Sequence, residues 1–316
     1  MKKLCKILNF LYDYYEFLLL SLMLYFLRAF MVIPGFFQTN TIYCGDCKEI
    51  MTKFPDACVD LVYADPPFCT NQNFEVSKED EYGTRGFEDR WEGGIQTYIP
   101  WMVARIEHIY RILKDSGLFY LHCGIHAGHY LKVACDKIFG YENFRNEIIW
   151  CYSGGGIPKK DFPNKHDTIF RYSKSKKYTY NPEYRPYTEG TVKRGRTQVK
   201  GKYYEEGLRK AGTPITDWWT DIKCIHSPTD KERRGYPTQK SESLLERIIK
   251  SSSNANDIVL DPFSGCGTTI AVAHRFARRW VGIEISPIAC NLMKDRMRGL
   301  DANPNVIETP LDEKSR

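Results

Sequence analysis

Asp65-Pro66-Pro67-Phe68 follows directly on the apolar run Val59 to Ala64. A strand ending this way presents one carboxylate, one carbonyl followed by a proline that has no N–H, and one flat ring. An exocyclic amine on a heterocycle offers two N–H donors and a π-face. Asp65 and the Pro66 carbonyl suit the two donors while Phe68 stacks on the ring, which turns the nitrogen lone pair toward an electrophile. Taken alone, the tetrapeptide would equally serve as a strand-ending turn.

A second motif separates those readings. It is Asp261-Pro262-Phe263-Ser264-Gly265-Cys266-Gly267-Thr268-Thr269. Ile258 to Asp261 reads as a short buried strand, and Gly265 and Gly267 let the backbone turn sharply into a helix opened by Thr268 or Thr269. The missing side chains leave room for a cofactor against the main chain. A P-loop would need Lys where Gly267 stands, and a dinucleotide fingerprint would need a third glycine where Ile270 stands. Trp280 to Glu284 reads as the next strand, with an acid at its carboxyl end, where a doubly wound sheet grips a ribose diol.

The elements that must position these residues follow from the hydrophobic pattern. Strand signals occur at 41–44, 59–64, 117–122, 146–150, 167–172, 257–261 and 280–284. Between them, Ile99, Met102, Ile106, Ile109 and Leu113 recur at helical spacing, as do Leu244, Leu245, Ile248 and Ile249. The alternation predicts an α/β domain of three layers. No helix intervenes between Glu147–Trp150 and Thr168–Tyr172. The stretch 173–235 has weak periodicity and many Gly, Pro and Tyr residues, and the tail after Leu300 reads as polar and frayed.

From about Asn40 to Met297 the chain resembles the β-class amino-group DNA methyltransferases, which use S-adenosylmethionine. The target-amine motif precedes the glycine motif, as it does in that family. Further segments match in order. Thr41-Ile-Tyr-Cys-Gly-Asp46 resembles the strand whose terminal acid contacts the cofactor adenine, and Gly117 to His122 the strand beside the target pocket. Tyr236-Pro-Thr-Gln-Lys240 resembles the segment that closes over the methionine end of the cofactor. The family more often has His at the position of Tyr236 and Tyr at that of Phe68.

The resemblance implies a doubly wound, Rossmann-like sheet, mostly parallel with an antiparallel edge strand, in circularly permuted motif order with an inserted target recognition region. It divides the chain into an N-terminal extension (1–39), a catalytic half (40–172), the recognition region (173–235), a cofactor-binding half (236–299) and a tail (300–316). Catalysis then falls to Asp65, Pro66, Pro67 and Phe68. Cofactor binding falls to Asp46, Asp65, Thr238, Gln239, Lys240, Asp261, Phe263, Gly265, Gly267, Thr268 and Glu284. The expected reaction is methyl transfer to the N6 amine of adenine in double-stranded DNA after base flipping, because family members with Asp at the first motif position mostly modify adenine. No metal is expected, since the sulfonium is already an activated methyl donor. Cytosine N4 is the alternative target, and a catalytically silent DNA-binding protein the alternative class. A cognate restriction endonuclease and a homodimer are further partners that the family brings to mind.

Composition agrees with a DNA partner. The net charge is +6, and residues 151–240 hold 20 Lys and Arg against 10 Asp and Glu, leaving 25 against 29 elsewhere. The same segment carries nine tyrosines and the pair Trp218-Trp219, a mixture of cations and flat rings suited to phosphates and unstacked bases. Lys159, Lys160, Lys193, Arg194, Arg196, Arg233 and Arg234 are its candidate DNA contacts, with Gly154 to Gly156 as a loop near the backbone. The 11 cysteines are odd in number and scattered, which argues for a reducing compartment and against a disulfide framework. Cys44 and Cys47 have metal-ligand spacing but no matching second pair.

The first forty residues fit this picture poorly. Phe17 to Leu27 is an apolar run, yet Arg28 would sit near the middle of any span, and Asp13 and Glu16 near its start. An accessory helix or an extended start, with Met31 as an alternative initiator, is the favoured reading over a membrane anchor at 17–37. The expected location is the cytoplasm, on the nucleoid.

Overall fold

The computed structural model describes residues 33–310 apart from 81–82, 155, 196–197, 200–201, 204–207, 226 and 228, with the backbone alone described at 73–80, 83–88, 198–199 and 202–203. The apolar run 17–27 therefore lies outside the described residues. Among the described residues, no helix is long and apolar enough to cross a membrane.

In chain order the elements are β1 (Thr41–Cys44), α1 (Cys47–Thr52), β2 (Val59–Ala64), β3 (Gln72–Asp80), β4 (Gly83–Asp89), α2 (Ile95–Ile112), β5 (Leu113–Cys123), α3 (Gly128–Phe139), β6 (Phe144–Cys151) and β7 (His166–Ser173). The inserted region contributes β8 (Tyr184–Arg185), α4 (Glu189–Arg194), β9 (Gln198–Val199), β10 (Lys202–Tyr203), β11 (Thr213–Pro214) and β12 (Trp218–Trp219). The chain returns through α5 (Glu242–Ser252), β13 (Ile258–Asp261), α6 (Thr268–Arg275), β14 (Arg279–Glu284), α7 (Pro287–Arg298) and β15 (Asn305–Glu308).

One sheet organises the molecule, in the order β12-β6-β7-β5-β2-β13-β14-β1-β15. All pairings are parallel except those of β7 with β5 and β6. Its central strands are buried on both faces, which is why they read as continuous apolar runs. Helices α1 to α3 cover one face, where Tyr98, Met102, Ile106 and Ile109 of α2 join Leu131 and Cys135 of α3. Helices α5 to α7 cover the other, with Leu244, Leu245, Ile248 and Ile249 packed against Ile270, Met293 and Trp280. This is the expected three-layer, doubly wound sheet.

Four details depart from the sequence reading. Leu113 opens β5 instead of closing α2, because its φ and ψ are already extended. The β6–β7 hairpin is not the outermost pair: Trp218 and Trp219 add a short parallel strand beyond β6. Trp219 is thereby buried to 6% exposure, with its indole N–H on the Thr216 carbonyl, and is unavailable to stack on a base, whereas Trp218 stays 53% exposed. At the opposite edge, 305–308 pairs with β1 and is not a frayed tail. The β3–β4 hairpin, which sequence patterning did not suggest, follows the Asp65 motif. The last residues of the N-terminal extension, Phe36 and Phe37, pack on Phe54, and the Tyr43 hydroxyl donates to the Phe36 carbonyl at 2.6 Å.

Candidate active site

Strands β2, β13 and β14 lie side by side and end at the same level, so Asp65, Asp261 and Glu284 meet although far apart in sequence. The carboxyl ends of such strands are where doubly wound sheets bind ligands. A cleft of about 910 Å³, counting its open mouth, lies there. It is lined by all four residues of 65–68, by the 236–240 segment, and by Asp261, Phe263, Gly265, Thr268 and Glu284.

At the β13–β14 end, side-chain carboxylates shape the loop. Asp261 accepts the Phe263 amide at 2.9 Å and the Thr269 hydroxyl at 2.5 Å. Glu284 accepts the Gly265 amide at 2.8 Å and the Ser286 amide at 2.9 Å. Burial pushes the Asp261 carboxyl up to about 7, helped by the nearby Asp65 and Glu284 charges and opposed by those hydrogen bonds. Burial also raises Glu284. Gly267 caps α6 with φ 79°, a left-handed conformation that suits glycine. Gly265 has φ 51°, and a Cβ there would sit 3.0 Å from the Tyr236 ring. The ring of Tyr236 thus closes on bare backbone. Beneath the loop, buried Arg296 donates to the Thr268 hydroxyl at 3.0 Å and to Glu242 at 2.6 Å. Burial disfavours the Glu242 charge, but Arg296 and Arg275 outweigh it and lower its pKa.

At the β2 end, the Lys240 ammonium lies 2.7 Å from Asp65 Oδ2 and 5.1 Å from the Phe68 ring centre. Burial disfavours that ammonium, yet Asp65 and Asp167 more than compensate and raise its pKa. Asp65 Oδ1 is buried and has no hydrogen-bond partner among the described residues. It faces His122 Nδ1 at 3.9 Å. The fully buried His122 ring is held from both ends, by the Tyr63 hydroxyl at 2.8 Å and by Asp167 Oδ2 at 3.1 Å. Asp167 also accepts from Tyr152 at 3.0 Å. Burial would raise the Asp167 pKa, but its hydrogen bond and attraction to His122 bring it below the usual carboxylate range. Phe68 lies against His122, with ring centres 5.6 Å apart, and against Gly124, where a Cβ would fall 2.8 Å from the ring.

The loop after Phe68 is tied down by Asp89, which is fully buried and accepts from the Cys69 and Thr70 amides, the Thr70 hydroxyl and the Trp91 indole. The Tyr98 hydroxyl donates to the Pro67 carbonyl at 2.7 Å. These anchors hold Cys69 and Asn71 at positive φ, 59° and 56°.

Not every expected residue joins the cleft. Gly267 is absent from its lining, as is Asp46. One oxygen caps α1 through the Lys48 and Glu49 amides, and the other takes Arg105 at 2.5 Å. Gln239 lines the wall but spends its amide on the Arg234 N–H and the Glu232 carbonyl. Thr238 sits at φ 57°. Lys240 reaches the Asp65 end of the cleft. Lys159, Lys160, Lys193, Arg194, Arg233 and Arg234 are all exposed, and Arg196 lies outside the described residues. The loop 152–165 also exposes Ile157 and Phe162, at 83% and 95%. His122, Asp167, Tyr63 and Asp89 were not foreseen as site residues. His122 had the clearest signal, an imidazole directly after the buried run Leu118–Leu121 of β5.

Comparison with known proteins agrees with this geometry. Residues 59–295 match the N6/N4 family described as DNA methylase. The DNA adenine methyltransferase YhdJ of Escherichia coli K12 is 31% identical over 251 residues, covering 79% of this chain and 79% of that protein. The type II methyltransferase M.BamHI of Bacillus amyloliquefaciens is 28% identical over 287 residues, and the match spans 90% of this chain but 63% of the relative. Among solved structures, the M1.HpyAVI–SAM complex superimposes with a TM-score of 0.52 at 22% identity, covering 81% of this chain and 98% of that one. A match over most of the chain, on a fold whose strand ends carry the two motifs side by side, means that this protein belongs to the N6/N4 DNA methylase family.

Proposed function

We propose that the chain transfers a methyl group from S-adenosylmethionine to the N6 amine of adenine in duplex DNA, after the base is flipped out of the stack. The observation that carries this reading is the Lys240 ammonium, an N–H donor seated between the Asp65 carboxylate and the Phe68 face. A seat that holds an N–H-bearing nitrogen over a π-face suits an exocyclic amine.

The residues of the β13–β14 end fit the cofactor. Gly265 leaves the main chain bare beneath Tyr236, and Glu284 stands at the end of β14 where a ribose diol would be held. When bound, S-adenosylmethionine supplies an activated methyl on a sulfonium. The protein's part is to place the amine. Asp65 Oδ2, the oxygen that Lys240 holds, and the Pro66 carbonyl take its two N–H groups, and Phe68 stacks on the base, so the lone pair points along the cleft. Lys240 leaves the seat as the amine enters. Asp65 accepts the proton released from the nitrogen, with His122 and Asp167 behind it keeping the carboxylate in place.

Binding to the duplex falls to exposed Lys159, Lys160, Lys193, Arg194, Arg233 and Arg234. Phe162, exposed at the tip of the loop leading to Asp167, is suited to wedge into the space the base vacates. Adenine is favoured by the relation to an adenine methyltransferase of similar length. Cytosine N4 is the second reading, since its amine offers the same two donors. A cognate restriction endonuclease and a homodimer belong to this proposal too, testable by co-purification and by sedimentation.

The test is incubation of the purified chain with unmethylated genomic DNA and S-adenosylmethionine, followed by mass spectrometry of the nucleosides, with Asp65→Ala in parallel. N6-methyladenine lost in the variant supports the proposal. N4-methylcytosine moves it to the second reading, and no modified base despite cofactor binding refutes both.

A further inference from the structure

A second cavity lies on the sheet face that carries α5, beneath the inserted region, and shares no lining residue with the first. It holds about 480 Å³ counting its mouth. Strands β5, β6 and β7 form its floor with Tyr120, Asn146 and Arg171, and Glu183, Trp219 and Arg247 stand in its walls.

Arg171 is 6% exposed. Its Nη1 donates to Asn146 Oδ1 at 3.3 Å, but Nε and Nη2 have no hydrogen-bond partner among the described residues. The other cation of the cavity, Arg247, has its counter-ions: Asp221 takes Nη1 and Nη2, and Nε, though without a hydrogen-bond partner among the described residues, lies 3.4 Å from the Glu183 carboxylate. Asp217 also lines the wall, yet no described carboxylate forms an ion pair with Arg171. The rings of Tyr180, Tyr178 and Tyr120 flank it, with centres 5.1, 5.4 and 5.8 Å from Cζ.

A buried cation without a counter-ion is costly. Water could satisfy its N–H groups but would leave its charge unmatched. Nε and Nη2 form one edge of the guanidinium, and their two parallel N–H bonds match two oxygens carried on one carbon or phosphorus atom. The tyrosine rings and Trp219 offer flat apolar walls to whatever bears those oxygens. We infer that this cavity is a binding site for an oxyanion, a phosphate or a carboxylate, held side-on by Arg171. The oxygens could come from a free small anion or from a phosphodiester of the nucleic acid.

Titration of the full-length, ¹⁵N-labelled protein tests this directly, by following the Arg171 Nε–Hε resonance during addition of sodium phosphate, sodium acetate or a short unmethylated duplex. A saturable shift with either small anion supports the site and assigns it to free anions. A shift with the duplex alone supports it and assigns it to phosphodiesters. A resonance unmoved by all three overturns the inference. In calorimetry, Arg171→Met should weaken uptake of the effective anion by about tenfold or more, the worth of a charge-assisted hydrogen bond, while S-adenosylmethionine binding is kept. Equal uptake by a folded variant also overturns it. If the variant does not fold, the wild-type titration stands by itself.

Discussion

Lys240 and Asp65, from opposite walls of the cleft, are joined at 2.7 Å. The Asp65 carboxylate therefore already holds a nitrogen, while its second oxygen, buried and without a hydrogen-bond partner among the described residues, faces His122. Asp65→Asn should lower methyl transfer by about 100-fold or more, the scale of a lost acid–base group, while cofactor affinity measured by calorimetry changes little. A parallel loss of cofactor binding would mean that Asp65 serves the other end of the cleft.

Gly124 is the floor under Phe68. A Cβ there would lie 2.8 Å from the ring, so Gly124→Ala must push the ring toward the seat of the amine. Methylation should fall without loss of thermal stability beyond about 1–3 kcal/mol, the range for an overpacked contact. Phe68→Tyr keeps the stacking face and should stay near wild type. Phe68→Ala should cost about 10- to 100-fold in kcat/KM, the worth of one base–aromatic stack. A Phe68→Ala enzyme of normal kcat/KM would remove the ring from the mechanism.

Asp261 sets a pH dependence whose sign can be worked out. Burial raises its pKa from 3.8 to about 7. An acid with a folded-state pKa above its unfolded value adds stability at low pH and loses that contribution as pH climbs between the two values. Asp261→Asn removes this one titration. In thermal unfolding without cofactor, the Tm of the variant relative to wild type should rise steadily across that window. A difference constant in pH would show that Asp261 does not titrate there.

The exposed loop 152–165 should act on DNA alone. Phe162→Ala is expected to reduce methylation of duplex more than of single-stranded DNA, since only the duplex needs a wedge. Lys159→Ala with Lys160→Ala should lower the slope of log affinity against log salt by about 2, one for each lost phosphate contact. Neither change should move cofactor affinity. A salt slope unaltered by both lysine changes would place the duplex elsewhere.

The sheet and both motifs were legible in the sequence because β2, β13 and β14 are largely buried and an acid ends β13 and β14 and directly follows β2, a pattern confined to a few consecutive residues. His122 and Asp167 were harder to connect. Their meeting depends on β5 and β7 running antiparallel in one register, with His122 opposite Ile169, and nothing local states that register. Asp89 reaches the Asp65 loop only because the β3–β4 hairpin brings it back. Asp46 also caps the helix that follows its strand, an ordinary use of an acid there, and its pairing with Arg105 on distant α2 is a non-local contact that the sequence does not state. Trp219 was read as a base-stacking residue because its burial arises from pairing with β6, again a non-local contact.

The strand Trp218–Trp219 has a consequence for how such enzymes can be remodelled. It is the inserted region's own contribution to the main sheet, and it covers the open flank of β6, whose Ile149 amide bonds the Asp217 carbonyl. A segment transplanted from another protein in place of the stretch between β7 and α5 is therefore not a free cassette. Unless the graft carries an equivalent short extended stretch at its end, β6 is left as a bare edge, ready to pair with a neighbouring molecule. Chimaeras that keep 217–219 should remain monodisperse where shorter grafts aggregate.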